Sequence, residues 1–147
     1  MLETKKEITH KIIQFLALRE HSAHEIQKKC APKVLDLELL ASVIAELIKK
    51  DLISDERFTE SYIQMRYRKG FGYIRIKQEL TEKGISSLLI EQYLILEDEK
   101  WQISMINVLT KKYKTSSNNL DYKEKAKRAR FLEYRGFPTQ LIADYLF

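Results

Sequence analysis

The sequence predicts an all-α protein. Apolar residues recur at i, i+3, i+4 and i+7 almost throughout the chain, and sustained alternation with a period of two is absent. Only 4 Gly and 2 Pro are present, too few to punctuate the turns of a many-stranded sheet. Hydrophobic residues make up 44% and charged residues 32% of the 147 positions, a composition typical of a folded protein and not of a disordered one.

Start and stop signals agree with these apolar stripes. Ser22 and Glu25 have the spacing of a capping box. Asp36 and Asp55 precede apolar runs as N-caps, and Gly84 and Gly136 stand where a helix ends in a left-handed residue. Together these signals predict nine helices, at residues 5–18, 22–30, 36–50, 55–69, 73–82, 87–96, 99–113, 121–134 and 138–146.

An internal repeat groups these helices into modules. A shift of 52 residues aligns 80–94 with 132–146, placing Gly84 over Gly136, and a shift of 50 aligns Ile26 with Ile76. We therefore predict three tandem three-helix repeats, at residues 1–53, 54–97 and 98–147.

Such short modules bury little surface alone and need their neighbours. We expect them to form an elongated, curved rod, and a monomer because no apolar stripe remains for a dimer seam. The polar segment TSSNN, Thr115–Asn119, is the best candidate for a linker.

Positive charge is concentrated in two blocks. The formal net charge is +5, but residues 66–78 carry +5 and residues 111–130 carry +6. The rest of the chain is neutral or acidic: −1 over 1–65, −4 over 79–110 and −1 over 131–147. This distribution favours an electrostatic surface for nucleic acid or for an acidic protein groove.

The first block, RYRKGFGYIRIK at residues 66–77, interleaves cations with aromatic residues. Its cations neutralise phosphates or carboxylates, and its aromatic residues stack on bases or on guanidinium planes. We expect these cations to be uncompensated and to contribute little to stability. Alternatively, they form a solvated face around an interhelical turn, with Tyr73 in the core. The candidate binding residues of this block are Arg66, Arg68, Lys69, Arg75 and Lys77.

The second block is a weaker candidate, because most runs of charge on a helix are solvated faces. Lys123, Lys127 and Arg130 are spaced to share one face of the eighth predicted helix. We expect Arg135 only to help terminate its own helix by binding the end carbonyls. The candidate binding residues of this block are Lys111, Lys112, Lys123, Lys127 and Arg130.

Catalytic and metal-binding patterns are missing from the sequence. His21, His24 and Cys30 lack a fourth ligand at suitable spacing, and neither H-E-x-x-H nor C-x-x-C occurs. The single Cys30, which stands where the second repeat has Leu80, is interpreted as a buried apolar side chain. We expect no enzymatic activity, no cofactor and no metal. Without a signal peptide or a membrane-spanning stretch, we expect a cytoplasmic protein.

Through the motifs LALREHS at residues 16–22, DERF at residues 55–58 and FLEYRGF at residues 131–137, the sequence resembles the RecX family of recombination regulators. LALREHSAHEIQKK, residues 16–29, is similar to the opening signature of that family. LISDERFTESYIQMRYRKGFGYIRIKQELTEKGI, residues 52–85, contains its D-x-R-F, R-x-x-x-G-x-G and closing G-I patterns. KRARFLEYRGFPTQLIADYL, residues 127–146, resembles its F-L-x-x-R-G-F ending. The resemblance covers almost the whole chain, with no fixed pattern for residues 31–34 or for the TSSNN segment.

The resemblance implies a regulator, without cofactor, that binds along the groove of the RecA–DNA filament and modulates, usually inhibits, RecA's recombination and ATPase activities. Two alternatives remain open: a direct DNA-binding module resembling a helix-turn-helix domain, and a structural adaptor that binds neither. Against direct readout, the predicted helices 87–96 and 138–146 contain almost no Arg, Lys, Asn or Gln to read base edges.

Overall fold

The computed structural model describes residues 1–114 and 119–147 of the chain. All nine predicted helices are present in these residues, and the all-α prediction is confirmed. The helices are α1 Lys5–Leu18, α2 Ala23–Cys30, α3 Leu37–Lys49, α4 Asp55–Arg68, α5 Tyr73–Glu82, α6 Ser87–Tyr93, α7 Lys100–Lys112, α8 Tyr122–Arg135 and α9 Thr139–Leu146. A short 3₁₀ helix, Ala31–Lys33, follows α2. Most of the predicted linker, residues 115–118, lies outside the described residues.

Side-chain caps fix most of the helix starts. The predicted capping box is confirmed: Glu25 N–H donates to Ser22 Oγ at 3.1 Å, and Ser22 N–H donates to Glu25 Oε1 at 3.1 Å. Asp36 caps α3 as predicted. A second capping box, between Thr4 and Glu7, opens α1 and was not predicted. Each box satisfies backbone N–H groups that lack a partner within the helix.

One predicted cap and one predicted helix end were wrong. Asp55 is the first residue of α4 and not its cap; Ser54 Oγ caps the helix by accepting from Arg57 N–H at 3.1 Å. The Asp55 carboxylate instead accepts from Ala23 N–H at the start of α2, at 2.9 Å. Helix α6 ends at Tyr93, three residues before the predicted end.

The chain divides into two compact units, each with its own core. Unit 1 comprises residues 1–61 and 80–90, and unit 2 comprises residues 62–79 and 91–147. Residues of the predicted middle repeat, 54–97, are thus divided between both units. The predicted repeat limits concern internal sequence similarity and stay a prediction.

Each core is built from the apolar stripes that predict its helices. Cys30 is fully buried, as predicted. Burying an aliphatic side chain contributes about 1.5–3 kcal/mol, so these residues dominate the stability of their unit. The core of unit 1 includes Ile8, Ile12, Ile26, Cys30, Leu40, Val43, Ile44, Leu47 and Ile53. The core of unit 2 includes Met105, Leu109, Leu132, Phe137, Ile142 and Leu146.

One junction between helix turns occurs in both units. In unit 1, the Ser22 hydroxyl donates to the carbonyl of Lys83 at 2.8 Å. In unit 2, the N–H of Gly72 donates to the carbonyl of Arg135, also at 2.8 Å. The donors are 50 residues apart and the acceptors 52, which are the two shifts of the internal repeat. The repeat therefore preserves a turn-to-turn hydrogen bond as well as a helix pattern.

Two glycines allow the close approach at these junctions. Gly84 and Gly136 have φ of +78° and +95°, as predicted for residues that end a helix. A Cβ on Gly84 would lie 2.4 Å from Cβ of His24, and a Cβ on Gly136 would lie 2.3 Å from Cβ of Arg75. Any larger residue would push the two turns apart.

None of the helices in the described part of the chain is both long and apolar enough to cross a membrane.

Candidate functional site

The first basic block lies at the end of α4, the following turn and the start of α5. The structure separates its five predicted binding residues into two groups. Arg68, Lys69 and Lys77 are exposed, whereas Arg66 and Arg75 are partly buried. The two arginines of the second group are held by hydrogen bonds within unit 2.

Arg66 and Arg75 converge on a single carboxylate. Arg66 donates twice to Glu79, from Nε to Oε1 at 2.9 Å and from Nη2 to Oε2 at 2.8 Å. Tyr62 donates to the same Oε1 at 3.0 Å, and Arg75 Nε reaches Oε2 at 3.4 Å. Burial would raise the pKa of Glu79, but the hydrogen bonds from Arg66 and Tyr62 outweigh it and lower the pKa. The carboxylate therefore stays ionised as the anion of this cluster.

The expectation that all five cations of this block are uncompensated was wrong. Glu79 neutralises part of the charge of Arg66 and Arg75, and it was missed because it follows the block in sequence. Since both partners of the Arg66–Glu79 pair are less than one-fifth exposed, the pair also contributes to stability.

Phe71 and Tyr73 of the block contact other residues of the protein. The guanidinium carbons of Arg66, Arg75 and Arg135 lie 3.8, 4.5 and 4.9 Å from the centre of the Phe71 ring. Tyr73 lies edge-on to the buried Trp101 ring, with centroids 6.2 Å apart. These contacts occupy Phe71 with the protein's own guanidinium groups, and the expected stacking of the block's aromatic residues in partner binding stays a prediction.

A groove in unit 2 brings together cations from both basic blocks. It has a volume of about 370 Å³. Arg68 and Lys69 contribute from the end of α4, and Lys111 and Lys112 from the end of α7. No carboxylate lines this groove among the described residues. We call it the basic groove; its other lining residues are Tyr67, Gly70, Ser104, Asn107, Val108, Phe131 and Arg135.

Arg135 supplies the groove with a fifth cation that sequence reasoning missed. Its Nη1 donates to the carbonyl of Lys69 at 3.0 Å. The expectation that Arg135 binds carbonyls at the end of its own helix was therefore wrong: it binds one that follows α4. Only the fold brings these residues together, since 66 positions separate them.

Polar groups that can accept or donate lie between the cations. Ser104 is only 5% exposed and is one of the residues that line the groove. Asn107, one turn further along α7, is exposed in the same groove. Five cations with a hydroxyl and an amide form a surface suited to phosphate oxygens.

The predicted face of α8 forms a second depression. Lys123, Lys127 and Arg130 are exposed and line a shallow cavity of about 520 Å³, which confirms that they share one side. Asp121 and Glu124 line the same cavity and reduce its positive charge. This depression is therefore less positively charged than the basic groove and should attract anions less strongly.

His21, His24 and Cys30 of unit 1 have different surroundings. His21 is buried, and its Nδ1 lies 3.0 Å from the carbonyl of Arg19. His24 is exposed beside Gly84, and Cys30 lies in the core. Among the described residues, no group of three His, Cys, Asp or Glu side chains is arranged to hold a metal ion.

Comparisons with known proteins agree with the repeat architecture. The family model for the second three-helix domain of RecX matches residues 54–94, and that for the third domain matches residues 105–146. The regulatory protein RecX of Pseudomonas savastanoi pv. phaseolicola is 31% identical over 99% of this chain and 94% of its own length. The chain belongs to the RecX family of regulatory proteins. A RecX relative from Mannheimia succiniciproducens is 35% identical over 91% of this chain and 88% of its own.

Solved structures of RecX proteins have the same fold. The crystal structure of RecX from Lactobacillus salivarius superposes with a TM-score of 0.78, at 22% identity, covering 95% of this chain and 92% of that one. Another crystal structure of a regulatory protein RecX gives a TM-score of 0.81 at 19% identity, covering 97% of this chain and 70% of the other. The all-helical repeat architecture is thus that of the RecX family.

Proposed function

We propose that this RecX-family chain binds the filament that RecA forms on DNA and inhibits RecA's recombinase and ATPase activities without catalysing a reaction. The family membership supports a regulatory role. The observation that carries the proposal is the basic groove, where five cations meet with no carboxylate among the described lining residues. Because its partners are RecA and DNA, the chain acts in the cytoplasm, and we propose that it does so as a monomer.

The groove fits the phosphate backbone of the filament's DNA. Lysine ammonium groups bind phosphates as point charges, and each contact releases condensed counterions. The hydroxyl of Ser104 and the amide of Asn107 add hydrogen bonds of the kind that position a protein on a backbone without reading its sequence. The Lys123, Lys127 and Arg130 face is proposed as a second, weaker contact.

Direct reading of DNA bases is the less favoured alternative. The helices that would enter a groove in a helix-turn-helix arrangement, α6 and α9, have the sequences SLLIEQY and TQLIADYL. Neither contains Lys or Arg, the residues that most often read guanine. The proposed filament binding therefore depends on backbone charge and on protein contacts.

Binding to the filament tests this proposal. The groove variant carries Lys69→Gln, Lys111→Gln and Lys112→Gln, all at exposed positions. The control variant carries Lys6→Gln, Lys28→Gln and Lys49→Gln, which remove the same charge at exposed positions outside the groove. Fluorescence anisotropy of the labelled chain is measured with RecA assembled on single-stranded DNA, as a function of salt.

We expect the groove variant to bind the filament at least about tenfold more weakly than the control at low salt, with a shallower dependence on salt. Equal affinities for the two variants at every salt concentration would contradict the assignment of the groove. If the unaltered chain itself failed to bind the filament, the proposed function would be wrong.

A further inference from the structure

A second cluster of cations occurs in unit 1. The net charge of this part of the sequence does not indicate it. Residues 1–65 carry a net charge of −1. Nevertheless, Lys11, Lys29 and Lys33 all point their ammonium groups at the ring of Phe15. The distances from Nζ to the ring centre are 5.3, 5.0 and 5.4 Å. We call these four residues the Phe15 cluster.

Three different elements contribute the lysines of this cluster. Lys11 lies on α1, Lys29 on α2 and Lys33 on the 3₁₀ helix that follows α2. Their convergence is therefore a product of the tertiary fold and not of one charged helix face. The charges of the same three lysines act on the buried thiol of Cys30. Burial raises the pKa of this thiol, and the three ammonium groups oppose that rise.

Hydrogen bonding positions one of the lysines. A backbone carbonyl only accepts, so His21 Nδ1 donates to Arg19 O, and Nε2 of a neutral His21 is left to accept. Lys29 Nζ donates to that Nε2 at 2.9 Å. Burial lowers the pKa of His21, which keeps this ring neutral near pH 7. Two of the three N–H groups of Lys29 remain for a ligand.

None of the three lysines forms an ion pair within the described part of the chain. Like charges that share one ring repel each other, and a single aromatic face attracts each only weakly at an exposed site. An anion with several oxygens would relieve this repulsion by bridging the ammonium groups. A phosphate suits this arrangement, because lysine binds it as a point charge and several phosphate oxygens can be shared among three ammonium groups.

We propose that Lys11, Lys29 and Lys33 bind the phosphate backbone of a nucleic acid, with the half-buried ring of Phe15 at the centre of the site. A patch of cations is the feature by which proteins follow the phosphate backbone of a single strand. The site is distinct from the basic groove, since all of its residues belong to unit 1.

Binding to DNA alone tests this site independently of RecA. The cluster variant carries Lys11→Gln, Lys29→Gln and Lys33→Gln, and the control is the variant with Lys6→Gln, Lys28→Gln and Lys49→Gln. The probe is a fluorescently labelled oligodeoxythymidine. We expect the cluster variant to raise Kd about tenfold and the control about twofold or less. The slope of log affinity against log salt should fall by about 2 in the cluster variant, the value for three contacts to a single strand.

Two further proteins separate binding from folding. The charge-preserving variant Lys11→Arg, Lys29→Arg, Lys33→Arg should bind the probe within about threefold of the parent. The single variant Lys33→Gln, whose exposed side chain lies over the Phe15 ring, should unfold at the parental temperature and still lose part of the affinity.

Equal losses of DNA affinity in the cluster and control variants would overturn the proposal, because general electrostatics would then explain both. Unchanged DNA binding with loss of binding to the RecA filament would also overturn it, and would indicate an acidic protein surface as the partner. Since the probe is DNA alone, the first result does not depend on whether the chain inhibits RecA.

Discussion

Arg66 and Arg68 lie two residues apart on α4 and have different surroundings. Arg66 is 15% exposed and donates twice to Glu79, while its guanidinium lies against the Phe71 ring. Arg68 is exposed and lines the basic groove. Because charged hydrogen bonds stabilise more when they are shielded from water, the first arginine supports the fold and the second is free to contact a partner.

We therefore expect Arg66→Met to lower the free energy of unfolding by about 1–3 kcal/mol, since it leaves Glu79 without its main partner. Arg68→Met should change it by less than about 0.5 kcal/mol. Urea unfolding followed by circular dichroism measures both values. Equal effects of the two substitutions would show that the Arg66–Glu79 pair contributes nothing.

Glu25 makes the stability of unit 1 depend on pH in the acidic range. Burial would raise the pKa of this carboxyl, but hydrogen bonds from Arg19 and from the N–H of Ser22, with the charge of Lys83, lower the pKa to about 2. A folded-state pKa below the ordinary 4.5 means that the ionised carboxylate stabilises the folded state above pH 4.5. This stabilisation is lost as the pH falls from about 4.5 towards 2.

Measured stability should consequently fall by on the order of 3 kcal/mol over that pH range because of Glu25. In Glu25→Gln, stability should be lower at pH 7 and its decline between pH 4.5 and 2 should be correspondingly shallower. Glu91→Gln, at an exposed position of α6, is the control and should retain the parental pH dependence. A Glu25→Gln curve parallel to that of the parent would refute this role.

At the scale of elements, the repeated turn junction leaves no room for a side chain at its glycine. Gly136 adopts φ of +95° at the end of α8, and an added Cβ would also lie 2.6 Å from the backbone nitrogen of Arg75. We expect Gly136→Ala to destabilise the protein by more than about 2 kcal/mol, through strain at positive φ and this clash. Thr139→Ala, at an exposed site three residues later, should cost less than about 0.5 kcal/mol. Thermal unfolding compares the two; similar values would contradict the close approach.

Helix positions were predictable because their signals are local. Apolar spacing and caps such as Asp36 act within a few residues, so eight of the nine predicted helices agree with the structure to within one residue at both ends. The exception is the end of α6, where the carbonyl of Ile95 accepts from the indole of the buried Trp101 at 2.7 Å. That bond depends on packing and has no local signal.

The candidate sites were predictable only in part, since they combine distant residues. Charge counting found Lys69 and Lys111 but could not place them in one groove with Arg135. It also missed the Phe15 cluster, because acidic residues between its lysines in the sequence cancel their charge in the sum. Net charge per segment detects a concentrated block and does not detect charges that the fold assembles.

At the scale of the whole molecule, the internal repeat predicts an elongated, curved rod of three modules. A compact chain of this length would have a radius of gyration of about 15 Å. Small-angle scattering of the monomer should give a clearly larger value. A radius near the compact value, or a molecular mass of twice 17.5 kDa, would contradict the rod or the monomer respectively.

The rate of ATP hydrolysis by RecA on single-stranded DNA tests the central claim, regulation of the RecA filament, most directly. The chain is added in increasing amounts to RecA filaments of its own organism, at fixed salt. We predict that the rate falls with added chain and saturates, and that the groove variant requires at least about tenfold more protein for the same decrease. A rate that stays unchanged up to a molar excess of the chain over RecA would contradict the account.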